Sequence, residues 1–487
     1  MKLSDLIKRV KTVKIKNFCD FEVEELALSS KEIFKQSLFF AVKGNNFNGN
    51  DFIYEAVKRG AKAVVTEYES DIPVCQIIVK DVYLAVSSIS YEFYKPKKRV
   101  KVIGVVGTNG KTTTTYVIKS VFDKAGIKSG VIGTLGAVYD GCYVEPSLTT
   151  PDAISLNETL YNMAERGVEY AIIELSAHAI TQKRASAIKF EALVFTNCTR
   201  DHLDYYKTFA EYEKTKLSVF TEKNARFAVV NADDNTGKKI INSNKIKTFT
   251  YGLNNPSDVF AINVDLSARG VSFVMNLFDD VSSVDYSGAG TFNVYNCLAA
   301  ATVTSVLGLN AQVINAGISS LTGVAGRMEY VESFRGADVF VDYAHTPDGL
   351  LNTLKALREI TEKRLIVVFG CGGNRDKGKR PEMGKIAGTY ADYTIITSDN
   401  PRFEEPYEII SQIESGLRTK TLNYITVQNR KMAINYALNI LSSGDVLLVA
   451  GKGAEEYQDI MGVKTPFNDK LEVRDSIAKI KFGGEII

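Results

Sequence analysis

The sequence predicts an α/β protein of three domains, and three observations carry that prediction. Its 487 residues correspond to about three domains at roughly 150 residues each. An apolar run at 102–106 breaks into a glycine-rich turn and then a helix, the order of a phosphate-binding strand, turn and helix. From about residue 325 onward strands and helices alternate one for one, which is the pattern of a doubly wound parallel sheet.

Residues 1–98 read as a small α/β domain. Its segment SLFFAVKGNNFNGNDFIYEAVKRGAKAVVTE, from Ser37, passes from strand through glycine turn and amphipathic helix to a second strand. Residues 99–324 form the central domain, opened by VIGVVGTNGKTTTT at 102–115. The spacing departs from a strict GxxxxGK[ST], which would place glycine where Val105 stands. The mechanism of a phosphate cradle is nevertheless complete. Glycines turn backbone N–H groups inward, the helix offers its positive end, Lys111 reaches a terminal phosphate and the Thr112 hydroxyl suits Mg²⁺. The helix from Thr112 is expected to stop at Gly126. Apolar runs at 170–175 and 192–197 supply further strands, and 259–290 reads as antiparallel strands appended to that core. Residues 325–487 form the third domain, with strands at 339–342, 365–370, 393–398, 424–428 and 446–450. Four of these end in polar clusters, DYAHTP, GCGGNRDKGKRP, SDNPR and GKGAEE. Open α/β sheets bind ligands beyond such carboxyl ends.

Composition narrows the function classes. Hydrophobic residues make up 45% and charged residues 24%, as in ordinary soluble proteins. With 59 basic and 57 acidic residues, the net charge of +2 argues for neither a nucleic-acid nor a membrane-surface partner. The cysteines, Cys19, Cys75, Cys142, Cys198, Cys297 and Cys371, form no CxxC pair; they read as reduced thiols, with no zinc site or disulfide framework. The start lacks a signal-peptide core and no run has the length of a membrane span, so a cytoplasmic location is expected.

Candidate chemistry clusters at strand ends. His178, His202 and His345 each follow a predicted strand in a polar segment. Glu174 ends a buried strand of the phosphate-loop domain, where a carboxylate can hold Mg²⁺, and His202 is a second candidate ligand. In FAEYEKTKLSVF, Lys216 lies four residues after Tyr212 and four before Phe220, so it belongs to the apolar stripe of its helix. Such a lysine either snorkels to solvent, the commoner arrangement, or is buried as a neutral amine. A neutral lysine near Mg²⁺ can add CO₂ to become a carbamate.

Together GTNGKTTTT, TNCTRDHLDYYKTFAEYEKTK, GTFNVYN, GRME, VDYAHTPD, GCGGNRDKGKRPEMG, SDNPR and GKGAEEY resemble the Mur ligases, in their diaminopimelate-adding branch. The resemblance implies an N-terminal UDP-binding domain, a central ATPase-like domain with a mostly parallel sheet, and a C-terminal Rossmann-like domain receiving the amino acid. The implied reaction adds meso-diaminopimelate to UDP-N-acetylmuramoyl-L-alanyl-D-glutamate, driven by ATP through an acyl phosphate. By resemblance, Gly107, Thr108, Asn109, Gly110, Lys111, Thr112 and Thr113 hold ATP, with Asn293, Arg327, Asp342 and His345. Thr112, Glu174, His202 and Lys216, the last as the CO₂-derived carbamate, take Mg²⁺, and Lys111, Glu174, His202 and Lys216 carry catalysis. Ser30, Thr149, Thr150, Ser176, Gln182 and Arg184 bind the UDP-muramoyl peptide. Arg375, Asp399, Asn400, Pro401, Arg402, Gly451 and Glu455 bind diaminopimelate. The chemistry agrees, because diaminopimelate is lysine with a further carboxylate: Arg402 can grip that carboxylate and Glu455 can meet the neighbouring ammonium. The chain departs from relatives at Asn48-Gly49-Asn50, Ala177 and Ala454. The alternatives are the lysine-adding ligase of the same family and a non-catalytic nucleotide-binding scaffold. A monomer acting on small molecules is expected.

Overall fold

Strands that are apolar on both faces sit at the centre of a sheet, while strands with a polar face take its edges. The computed structural model describes residues 1–44, 47–202 and 205–481 and holds three such sheets in succession. The first has the order Thr12–Lys16, Cys75–Val79, Ala61–Thr66, Ser37–Phe40, Glu25–Ala27. The last four are parallel and mostly buried. Thr12–Lys16, with alternating lysines, pairs antiparallel at the exposed edge.

The central sheet has eleven strands. Lys101–Val106, Tyr170–Glu174, Ser129–Gly133 and Phe190–Phe195 are parallel neighbours, buried from Val102 onward on the first of them. Ala225–Asn231 and Thr248–Gly252 continue the parallel run. Val259–Ser267, Gly270–Leu277 and Asp280–Tyr286 follow, antiparallel to one another as expected. At the far end Gly136–Tyr139 and Cys142–Val144 add two antiparallel strands that the sequence did not announce. The helix Lys111–Lys124 starts at Gly110 and gives way to Gly126, whose φ of 72° is the left-handed value of a helix stop. Thr291–Val306 and Ala311–Ser320 pack beside it over one face of the sheet. On the other face Phe209–Leu217, capped by the Thr208 hydroxyl, lays Tyr212 into the core near Phe195 and Phe220.

In the third sheet Ala337–Asp342, Val446–Ala450, Leu365–Phe369, Tyr393–Ile396 and Tyr424–Thr426 lie parallel in that order. Strict alternation of strand and helix does not hold at its margins. Glu329–Phe334 pairs antiparallel at one edge, and a hairpin, Tyr457–Ile460 with Val463–Pro466, projects after the last parallel strand. The hairpin is largely exposed, and Glu329–Phe334 buries only Val331 and Phe334 among polar neighbours, so neither has the apolar run that marks a buried strand. Arg430 and Asp469, both without solvent exposure, form a bidentate pair joining two helices, and Arg430 also reaches the Ala450 carbonyl.

Candidate active site

The phosphate loop is propped by the end of the neighbouring strand. The Asn109 amide donates to Asn197 Oδ1 at 2.9 Å, and Thr196 Oγ1 donates to the Asn109 carbonyl at 2.6 Å. Gly110 has a φ of 83°, and a Cβ there would stand 2.4 Å from Asn296 Oδ1, so glycine is required on both counts. Lys111 folds back over the loop, its Nζ donating to the carbonyls of Gly107 and Thr108 at 3.0 and 2.9 Å. Burial lowers its pKa.

Glu174 reaches the first turn of the loop's helix. It accepts from Thr112 Oγ1 at 3.0 Å and from the Thr134 amide and hydroxyl at 2.9 and 3.1 Å. Thr134 also reaches Thr149. Behind this wall Thr150 is fully buried, donating to the Glu174 carbonyl at 2.6 Å and accepting from the Ser176 amide at 3.0 Å. Arg184 donates to the Thr150 carbonyl and to Gln182. Thr149 and Ser176 line the cleft, whereas Thr150, Gln182 and Arg184 do not. Ser30 lies in the first domain, bonded to Glu55 at 2.9 Å, outside that cleft.

His202, at a φ of 53°, faces Asp201 at 3.3 Å and the His178 ring at 4.7 Å. Leu203 and Asp204 of the same motif lie outside the described residues. Lys216 does not snorkel: it is 1% exposed. Its Nζ donates to Thr108 Oγ1 at 2.7 Å and sits 4.2 Å from the centre of the Tyr212 ring. Burial lowers its pKa to about 7. Tyr212, one turn earlier on the same helix, and Thr108 of the phosphate loop enclose the amine.

The third domain closes the other side. Arg327 donates to Thr112 Oγ1 at 2.9 Å and stacks 4.4 Å above the Tyr343 ring. Both Asp342 oxygens are taken by loop amides, from Met328 at 2.6 Å and Ala344 at 2.8 Å, and burial raises its pKa. His345 is held through Nδ1 at the Tyr343 carbonyl, 2.8 Å away, and burial with the nearby Lys379 cation lowers its pKa to about 4. Asn293 is buried, and it accepts from Asn296, the residue that lines the cleft. Asp348, at the start of the helix Pro347–Ile360, accepts from Asn109 Nδ2 at 2.6 Å and Thr199 Oγ1 at 2.7 Å, so it ties the third domain to the phosphate loop.

At the far end of the cleft, Asn400 Nδ2 donates to Glu455 Oε2 at 2.9 Å. The buried Lys452 ammonium bridges the same oxygen and Asn400 Oδ1, at 3.0 Å each. Arg402, with a φ of 52°, donates through Nη1 to the Gly373 carbonyl at 2.9 Å and lies 3.9 Å from Asp459 of the hairpin. Arg375, Asp399, Gly451 and Glu455 join Arg402 in lining the cleft; Pro401 shapes the loop from behind. Residue reasoning missed Asp348, Lys452, Thr134, Asn296 and Asp459. Asp348 and Lys452 stood inside quoted motifs as polar residues at strand ends, and Asn296 one helical turn after Asn293. Thr134 and Asp459 gave no signal.

The phosphate loop, Glu174, His202, Arg327, His345, Asp348, Arg375, Arg402 and Glu455 open into one cleft of about 930 Å³ between the second and third domains, whereas Lys216 and Asn293 do not line it. Among the described residues no three His, Cys, Asp or Glu side chains gather as a metal cage. Thr112 beside Glu174 instead fits a Mg²⁺ ion that draws its other oxygens from phosphates and water.

Fold and cleft together define a phosphate-loop nucleotide-binding protein with a doubly wound domain closing over the loop. Residues 22–106, 105–304 and 326–453 match, respectively, the families described as Mur ligase family, catalytic domain; Mur ligase middle domain; and Mur ligase, glutamate ligase domain. The chain belongs to the Mur ligase family. It is 39% identical over 482 residues to a UDP-N-acetylmuramoyl-L-alanyl-D-glutamate–2,6-diaminopimelate ligase of Caldanaerobacter subterraneus subsp. tengcongensis, covering 98% of this chain and 99% of that one. A ligase of the same name from Clostridium acetobutylicum is 39% identical over 487 residues, covering 99% and 100%. A solved structure of a ligase with that name aligns at a TM-score of 0.68 and 32% identity, over 94% of this chain and 95% of that one. The MurF ligase of Thermotoga maritima in complex with ADP shares the fold at a TM-score of 0.64 and 20% identity, over 94% and 97%.

Proposed function

We propose that this chain is an ATP-dependent ligase that joins meso-diaminopimelate to UDP-N-acetylmuramoyl-L-alanyl-D-glutamate. The observation that carries the reading is the shared cleft. The phosphate loop, Glu174 and Arg327 stand at one end and Arg375, Asn400, Arg402 and Glu455 at the other, so nucleotide and amino acid share one cleft.

The loop amides and Lys111 receive the ATP phosphates. The terminal carboxylate of the muramoyl peptide, bound along the Thr149 and Ser176 wall, attacks the γ-phosphorus and ADP leaves. Lys111 and Arg327 offset the charge that gathers as two anions approach. Thr112 and Glu174 would hold a Mg²⁺ ion, and His202 with a carbamylated Lys216 would hold a second, which would supply further positive charge at the phosphates. Burial holds the Lys216 amine close to neutrality at physiological pH, which favours carbamate formation. The amine of diaminopimelate then attacks the acyl phosphate and phosphate leaves as the amide forms. Arg402 faces the distal carboxylate of diaminopimelate and Glu455 its neighbouring ammonium. Closure of the third domain keeps water from the acyl phosphate. Arg402 distinguishes diaminopimelate from lysine, because lysine leaves the guanidinium without its carboxylate partner.

The test is product mass and phosphate release with UDP-N-acetylmuramoyl-L-alanyl-D-glutamate, ATP and either meso-diaminopimelate or L-lysine. The expected result is turnover with diaminopimelate far above that with lysine. Equal turnover overturns the specificity, and no amino-acid-dependent phosphate release overturns the activity.

A further inference from the structure

Two loops supply the cations of the amino-acid end of the cleft, one with Arg375 and one with Arg402. They lie backbone against backbone. The Gly373 amide donates to the Asn400 carbonyl at 2.9 Å, and a Cβ on Gly373 would stand only 1.8 Å from the Pro401 carbonyl oxygen. Asn374, immediately before Arg375, and Arg402 both adopt left-handed backbone, with φ of 52° each. Asn374 tolerates that conformation readily, whereas Arg402 does not favour it without support.

The support is an ion pair behind the cleft between a buried Arg380 and a half-buried Glu404. Arg380 has no solvent exposure, and its guanidinium donates to both Glu404 oxygens, at 2.9 and 3.0 Å, with further bonds to Gln412 at 2.8 Å and the Gly372 carbonyl at 3.2 Å. The same Glu404 carboxylate accepts the Asn374 amide at 2.5 Å. Asn374 Oδ1 in turn accepts the Phe403 amide at 3.1 Å. Glu404 therefore grips the first loop one residue before Arg375 while sitting two residues after Arg402. Its pKa is lowered to about 2, chiefly by the Arg380 hydrogen bonds, so it is ionised wherever the protein is active. Nothing in this pair reaches the cleft: neither Arg380 nor Glu404 lines it.

We infer that Arg380 and Glu404 are positioning residues that set the spacing and direction of Arg375 and Arg402, and thereby the preference for an amino acid with a distal carboxylate. The inference rests on the diaminopimelate reading of the cleft. A two-loop clamp is needed because a bidentate grip tolerates little displacement; a misplacement near 1 Å can cost about a hundredfold.

The experiment compares the parent with Glu404→Gln and Arg380→Lys, measuring kcat and KM for meso-diaminopimelate, L-lysine and ATP together with the thermal transition. Gln keeps shape and removes the charge; Lys keeps the charge and removes the fork. The expected result is a KM for diaminopimelate raised about tenfold to a hundredfold, an ATP KM within about twofold of the parent's, and a diaminopimelate-to-lysine ratio of kcat/KM that falls in step. A ratio unchanged in both variants overturns the inference, whether activity is retained or lost for all substrates in parallel, because general destabilisation does not alter preference. A parent that does not use diaminopimelate overturns the underlying reading instead, so the two failures are distinct.

Discussion

Replacing Lys216 by methionine should make the protein more stable while abolishing its chemistry. Unfolded, a lysine keeps its proton to about 10.5, whereas at this buried position it keeps it only to about 7. Between those values the unfolded chain binds more protons, so the folded protein gains stability as pH rises and carries the full penalty below pH 7. At pH 7.5 the penalty is about 4 kcal/mol, at about 1.4 kcal/mol for each tenfold change in proton affinity. Methionine fills similar volume without a charge, and the lost bond to Thr108 returns about 1 kcal/mol. A net gain of about 3 kcal/mol corresponds to roughly 6–12 °C in the transition of a domain of this size. Calorimetry in CO₂-depleted buffer at pH 7.5 should show the variant melting higher. The difference should shrink towards zero by about pH 10, where the unfolded lysine also begins to lose its proton. A variant that melts at or below the parent, or a difference that does not shrink with pH, refutes the claim that burial without a counter-charge governs this lysine.

Three further outcomes are expected. Lys216→Ala should lose about a hundredfold or more in kcat, with partial recovery in millimolar acetate or formate standing in for the carbamate; full activity in the variant counts against the carbamate. Asp469→Ala should destabilise by about 3–5 kcal/mol in denaturant titration, because it leaves Arg430 charged and buried; a change under 1 kcal/mol rejects that estimate. His345→Gln should leave the shape of the pH–rate profile between pH 6 and 9 unchanged. With a pKa near 4 the imidazole is neutral throughout that range, so a vanished acidic limb would show that it titrates there.

The buried parts of this fold were legible in the sequence and the edges were not. Lys101–Val106 from Val102 onward, Leu365–Phe369 and Val446–Ala450 are buried on both faces, and parallel central strands write themselves as unbroken apolar runs. Glu329–Phe334 and the Tyr457–Pro466 hairpin keep a wet face, so their pairing depends on neighbours that no local pattern reveals. The site divides the same way. Glycines, strand-end acids and the Tyr212–Lys216–Phe220 stripe are local signals, and the stripe pointed correctly to an apolar surrounding. It left the depth open, because the enclosing Thr108 lies 108 residues away. Asp348 shows the limit more sharply, since its partner Asn109 is 239 residues distant and only the packing of two domains joins them.

That junction of Asn109 and Asp348 also bears on how the enzyme could be stopped. A phosphate mimic must outcompete cellular nucleotide for a loop shared by many proteins. A small molecule presenting a donor to the Asp348 carboxylate and an acceptor to the Asn109 amide would lodge as a wedge between the phosphate loop and the third domain. Selectivity would then come from a junction between two domains rather than from the nucleotide pocket.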